Sequence, residues 1–396
     1  MSDGKKIKVI LHRGAEQIGG VCTEISTNEA RIFFDFGSPL EGEGNQEKLD
    51  IEGLTYGNIH CNAVFITHYN GDHVGEVPGI LPGIPIYMEK TAKKILQAQQ
   101  EHKISVGQIV WAKDIYDLCV GTPITIKDLK ITPLASDHSA SDSIMYLVEG
   151  QDKRILLTGD YRLHGFCGDR LEDTFSSLGH IDLMITEGTN INRESPYCHD
   201  EKWVEEQFKR ILRENKYVFL LASSSNIDRI ASFSRAIPRG KHGLSDKYQK
   251  KLMNIADVDR EDGLKSKRIW PYDADKKSDY EQRGFGMVVR TGDSFSSLVK
   301  EYFEKYPDDT CLIYSMWKGY RTIPSVAELL ECCQKIETIH VSGHITKEDL
   351  EHVIELVKPD RLIIHHTASD EKEKDMLEIP NGTQILTPKD GEVISV

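Results

Sequence analysis

Thr67-His68-Tyr69-Asn70-Gly71-Asp72-His73 gathers two imidazoles, an amide and a carboxylate into one short loop. Just before it, Ala63-Val64-Phe65-Ile66 reads as a short buried strand, and Gly and Pro punctuate the segment after it. The strand therefore ends by delivering metal-binding side chains into a tight turn. Imidazole nitrogen and carboxylate oxygen at this density suit zinc or a similar ion. The bland alternative is a polar turn with incidental histidines. Outward from this loop, other apolar runs end the same way: His138, Asp160, Glu187, Ser342-Gly343-His344 and His366 each come directly after a strand-like segment. Strand ends on one sheet edge converge in space although distant in sequence. One such residue alone is an ordinary turn former. Their repetition predicts a hydrolytic metal site.

The chain has 396 residues, 39% hydrophobic and 28% charged, enough for a large core and for two domains or one domain with an insertion. No apolar run is long enough to cross a bilayer. The first eight residues are charged, without the apolar region of a signal peptide. Eight cysteines without a CxxC pair are expected to be reduced thiols in a cytoplasmic protein. A formal net charge of -14 argues against a general polyanion-binding surface, because Lys and Arg make most phosphate contacts. A local basic channel, or a bound cation, remains compatible with it.

Along the chain, Lys5–Leu11 predicts a first strand, with a glycine-bearing loop after it and no helix to make a nucleotide-binding fingerprint. Short strands continue to Ile181–Thr186. Beyond about Tyr197 the texture changes to strands alternating with helices, which predicts a mostly parallel sheet. Ser223-Ser224-Ser225-Asn226 reads as a capping turn before a helix from Ile227 to Ala236. From Thr338 onward, short strands return. The expected division is 1–198, an insert at 199–337, and 338–396.

The order His68-x-Asn70-x-Asp72-His73, then His138, then Asp160 in Thr-Gly-Asp-Tyr-Arg resembles the metallo-beta-lactamase fold. Glu187 in Thr-Glu-Gly-Thr-Asn, His344 in His340-Val-Ser-Gly-His344 and His366 in Ile-Ile-His-His-Thr resemble the extra motifs of its beta-CASP branch. Ser224-Ser225-Asn226-Ile227-Asp228-Arg229 resembles the phosphate-contacting turn of ribonuclease J-type nucleases. The resemblance implies an α/β fold: a four-layer alpha-beta/beta-alpha sandwich interrupted by a beta-CASP domain. It also implies cytoplasmic hydrolysis of single-stranded RNA as exonuclease, endonuclease or both. By the same likeness His68, Asn70 and His138 would hold one metal ion, Asp72, His73 and His366 a second, and Asp160 would bridge, the expected cofactor being one or two zinc ions. His344 donates a proton to the leaving oxygen, oriented by Glu187, and Asp72 helps position the attacking hydroxide. Ser225, Asn226, Arg229, Ser342 and Gly343 contact phosphate.

Three departures qualify that expectation. Asn70 stands where the family has a histidine, and an amide oxygen suits harder ions than zinc. This leaves the first site open between weak, manganese-preferring and empty. Asp228 stands where the family has a histidine, and a carboxylate there repels phosphate. The sequence is expected to lack the C-terminal extension common in ribonuclease J, which leaves homo-oligomerisation open. Two rival functions remain: a hydrolase of a small phosphodiester or ester, and an RNA-binding protein with a degenerate site. Alternation along a strand lets only one of His365 and His366 face the site, and spacing from Pro359 selects His366. Asp35 is expected to orient a ligand. The Arg235–Arg268 basic run and Trp111, Trp203, Trp270 and Trp317 take the bland reading of solvated or unspecialised surface.

Overall fold

Alternation within short aliphatic runs builds two seven-stranded sheets that bury a common layer. The computed structural model describes residues 6–41, 44–105, 114–193, 199–261, 263–368 and 377–396, so Lys5 and Trp111 lie outside the described residues. Met1–Pro196 with Gly343–Val396 forms one compact unit, and Tyr197–Ser342 forms another.

In the first unit, one sheet runs in the order Val393–Ser395, Lys8–Arg13, Cys22–Ser26, Arg31–Phe34, Ala63–Phe65, Ile86–Glu89 and Ile115–Leu118. The other runs Gln384–Leu386, Arg361–His365, Leu183–Glu187, Lys153–Leu157, Ile144–Gly150, Leu129–Ala135 and Ile124–Ile126. Val9, Leu11, Ile25, Ile32 and Phe65 of the first sheet share one core with Ile131, Val148, Ile155, Ile185 and Ile363 of the second. The alternate residues Leu147, Leu156, Met184, Leu362 and Ile364 face the other way. They pack with Leu171 and Phe175 of the helix Gly168–Ser177 and with Leu350, Val353 and Ile354 of the helix Lys347–Val357. The helix Lys90–Ser105 packs beside Ile86–Glu89 and Ile115–Leu118. This is a mixed α/β sandwich with an inserted domain, the expected fold class.

The inserted unit holds a six-stranded sheet in which every pairing is parallel. Its order is Ile269–Pro271, His242–Ser245, Phe285–Val289, Tyr217–Leu221, Thr310–Tyr314 and Ile336–Thr338. Where short strands were expected to return from Thr338 onward, the strand Ile336–Thr338 instead ends at Thr338 and pairs within this sheet, because it comes after the crossover helix Pro324–Glu331. Asp200 caps the helix Glu201–Glu214 and Asn226 caps Ile227–Ala236, each through its side-chain oxygen. Among the described residues no helix is long and apolar enough to cross a membrane.

Candidate metal centre

The loop after Ala63–Phe65 is clamped by the segment that succeeds Arg31–Phe34. Asp35 N–H donates to Phe65 O (2.9 Å), Phe36 N–H to His73 O (2.8 Å) and Ser38 N–H to Gly71 O (3.0 Å). Gly37 must be glycine here, since a Cβ on it would sit 1.6 Å from the Asp72 carbonyl oxygen. Asp35 takes φ 59°, a left-handed conformation that turns its carboxylate under the loop. Its oxygens accept from Thr67 N–H (2.7 Å), Thr67 Oγ1 (2.8 Å) and His73 Nδ1 (2.7 Å).

Four imidazoles are each tied down at Nδ1. His73 Nδ1 donates to Asp35, and His138 Nδ1 donates to Gly343 O (2.6 Å). Thr67 Oγ1 already donates to Asp35, so it accepts from His68 Nδ1 (3.0 Å). Thr189 Oγ1 lies 2.8 Å from His366 Nδ1 and donates to the His366 carbonyl (3.2 Å), so it too accepts from the ring. The Nδ1–H tautomer leaves each Nε2 with a bare lone pair. These nitrogens meet around Asp160. Its Oδ2 lies 3.2 Å from His73 Nε2 and 3.7 Å from His68 Nε2, and its Oδ1 lies 4.0 Å from His366 Nε2. His366 Nε2 is also 3.3 Å from Asp72 Oδ2.

Two ligand sets with Asp160 in common result: His68 with His138, and Asp72 with His73 and His366. Ligands about 2.1 Å from one ion stand about 3–4 Å apart, the spacing seen here. His68 Nε2, His73 Nε2 and both Asp160 oxygens are buried and make no hydrogen bond within the protein. Buried polar atoms are otherwise almost always paired. The donor set therefore fits a cation. Burial lowers the pKa of His68, and lowers that of His138 to about 4, so both are neutral ligands at pH 7. Burial also opposes charge on His73, but Asp160, Asp35 and Asp72 outweigh it and raise its pKa, so without a cation its Nε2 holds a proton towards Asp160, and a bound cation would take that proton's place.

A family model of the beta-lactamase superfamily domain matches residues 54–212. The chain carries a metallo-beta-lactamase superfamily domain. It is 24% identical to the ribonuclease J of Sinorhizobium meliloti over 80% of this chain and 59% of that protein. It is 23% identical to the ribonuclease J of Helicobacter pylori strain 26695 over 89% of this chain and 55% of that protein. The chain thus spans about half the length of these relatives. It is 22% identical to the probable RNase MJ4 of Methanocaldococcus jannaschii, over 98% of this chain and all of that one. A crystal structure of a protein of unknown function from Enterococcus faecalis V583 superposes with TM-score 0.77, at 20% identity over 99% of this chain and 100% of that one. That likeness concerns the fold.

The other expected residues surround the cluster or lie in the insert. His344 Nδ1 lies 2.9 Å from Glu187 Oε2 and 3.6 Å from Asp160 Oδ2. Burial lowers its pKa, but Glu187 and Asp160 outweigh that and raise it to about 9. Asn70 Nδ2 sits 3.5 Å from His138 Nε2, and an end-for-end amide flip would bring its oxygen there instead. The His365/His366 choice is made by a left-handed residue at the strand end (φ 50° at His366) rather than by alternation, and His366 joins the cluster.

In the inserted unit, Asn226 is a helix cap and Ser225 Oγ lies 2.8 Å from Ser223 Oγ. Arg229 corrects the expectation of a phosphate contact. Its guanidinium is fully buried and donates to Glu201, Ser315 and the Val341 carbonyl. Asp228 is paired with Arg260, so its charge is already compensated. Gly343 offers its carbonyl to His138. Sequence reasoning missed Thr67 and Thr189, which set ring tautomers, and Asp137. Asp137 accepts from Arg162 Nε (3.0 Å) and Cys167 N–H (2.6 Å) beside His138. The sequence signal for the threonines was their place inside the quoted motifs, Thr67 before His68 and Thr189 after Gly188.

Proposed function

We propose that this chain is a metal-dependent ribonuclease that hydrolyses phosphodiester bonds of single-stranded RNA. The observation that carries the metal chemistry is the set of unpaired Nε2 and Asp160 oxygen atoms facing one another. The substrate is taken from the relatives' names, ribonuclease J and RNase MJ4. In this reading His68, His138 and Asp160, with Asn70 turned oxygen-inward, would hold one ion, and Asp72, His73, His366 and Asp160 would hold the other. Bound zinc or manganese would supply Lewis acidity and lower the pKa of water for attack on phosphorus.

The chain's own residues do the rest. Asp72, less buried than Asp160 or Glu187, orients the attacking water. Glu187 Oε1 accepts from Tyr161 N–H (2.8 Å), which fixes the carboxylate that holds His344. His344 keeps a proton into the neutral range and gives it to the departing oxygen. The Ser225 hydroxyl, the Asn226 amide and the backbone N–H groups of Ser342 and Gly343 contact phosphate oxygens. Arg229 supports the Val341 end of that segment from beneath.

The test is cleavage of a labelled, unstructured RNA with added zinc or manganese, beside the same assay on Asp160→Asn and a measurement of bound metal. Metal-dependent cleavage that Asp160→Asn abolishes supports the reading. Metal bound without cleavage of RNA, but with turnover of a small phosphodiester, overturns the substrate assignment. No retained metal overturns the whole.

A further inference from the structure

Trp270 is the exposed aromatic residue whose surroundings set it apart from plain solvated surface. It lies on Ile269–Pro271, the edge strand of the inserted unit's sheet. Alternation buries Ile269 (1% exposed) and turns Trp270 out (63% exposed). The indole lines a cleft of about 670 Å³ with His242, Lys247, Tyr272, Lys276 and Tyr280. Lys250 Nζ lies 5.1 Å from the indole centroid. His242 is paired with Asp279 (2.9 Å) and Lys276 with Asp273 (3.2 Å). Lys247 is exposed, and among the described residues no carboxylate pairs with it.

A chain of net charge -14 has here placed ammonium groups around the open Trp270 ring, with Asp273 the carboxylate of the lining and already paired with Lys276. An apolar ligand has no use for the lysines, and a free anion has no use for the rings. A nucleotide strand uses both: bases stack on aromatic faces irrespective of sequence, and phosphates at neighbouring positions meet the cations. We propose that this cleft binds single-stranded nucleic acid, with a base stacked on Trp270 and its flanking phosphates at Lys247 and Lys250. That the strand is RNA rests on the nuclease reading above. The cleft itself lies wholly within the inserted unit and uses none of the metal-centre residues.

The experiment separates the two. A fluorescein-labelled, unstructured ten-nucleotide RNA is titrated by anisotropy against full-length Asp160→Asn protein in chelator, so that binding is read without turnover. Adding Trp270→Ala is expected to weaken binding roughly 5- to 150-fold, the range for loss of one stacked base, while Trp270→Phe retains most of it. Lys247→Glu is expected to weaken binding and to flatten its salt dependence. Equal affinity for Trp270→Ala, Lys247→Glu and their parent overturns the proposal. So does equal, Trp270-dependent binding of a duplex, since paired bases present no free face. Wild-type protein that binds through Trp270 yet cleaves no RNA would sink the nuclease reading and leave the cleft standing.

Discussion

Two buried polar clusters, one in each compact unit, differ in what they leave unpaired. In the inserted unit Arg229 and Glu201 are both fully buried, and the guanidinium ends on protein acceptors at Nε and both terminal nitrogens. In the other unit, the Nε2 atoms of His68 and His73 and both Asp160 oxygens have no such partners, although the same rings are fixed at Nδ1. A saturated cluster is scaffold. A cluster whose lone pairs face one another with nothing to receive them is a candidate ligand site. A third group makes the contrast within one unit. His180, Asp182 and Asp360 also stand within ligand distance of each other, but Asp182 already accepts from Lys153 Nζ and Arg154 N–H, and the other two are exposed.

The sharpest way to break this contrast is to remove the shared carboxylate. Asp160→Asn is expected to strip bound metal and to lower RNA cleavage more than about a thousandfold. That exceeds the 10–100-fold typical of residues one step removed from a metal. Metal content by mass spectrometry and cleavage of labelled RNA give the two readouts. Asp360→Ala, in the saturated surface group, should leave both unchanged. Arg229→Ala should show the opposite profile. Stranding a buried Glu201 costs roughly 3–5 kcal/mol of stability, while folded protein keeps its metal. Replacing both as Glu201→Leu with Arg229→Met should recover much of that loss in urea unfolding. If Arg229→Ala lost metal in proportion to stability, the two clusters would not be separable in this way.

Asp35→Asn tests the layer between. Asparagine keeps the size but replaces the anionic acceptor of His73 Nδ1 and Thr67. Metal affinity should fall about 10–100-fold with the fold intact, measured by competition with a chromogenic chelator. Unchanged affinity would mean that His73 does not depend on its Nδ1 partner.

The residues of the cluster were legible because each ends an apolar run, and a strand end with His or Asp is visible in one dimension. The sandwich was legible only through the resemblance those motifs carry, because a strand such as Leu183–Glu187, buried on both faces, reads as one continuous apolar run. The fate of Arg229 was not. A sequence shows a basic residue beside a capping turn, but not that Glu201, on the preceding helix, waits beneath it. The same holds for Asp228, whose partner Arg260 lies one helix further on. His366 was reached for an incomplete reason, because a left-handed residue at a strand end leaves no mark in alternation. Thr67 and Thr189 were passed over since a threonine hydroxyl that sets a tautomer looks like any other threonine.

Glu24 supplies the smallest effect and the most demanding check, because it is a saturated group inside the unit that carries the candidate metal centre. Burial would raise its pKa, but hydrogen bonds from His12 and Arg31 outweigh that and hold it at about 2. Its value in an unfolded chain is near 4.3. The native state therefore binds the proton less readily than the unfolded chain. The stabilisation is complete above about pH 5 and is lost as pH falls towards 2. Glu24→Gln removes this linkage, so the stability advantage of the wild type over the variant should shrink between pH 5 and 2. The advantage should be on the order of 1 kcal/mol at pH 6 once solvent screening is allowed for. Urea titrations in chelator read it without any contribution from metal. An advantage constant with pH would mean that Glu24 is held by shape rather than by charge. Metal affinity at pH 7 should be the same in both proteins, since a saturated group has nothing left to offer a cation.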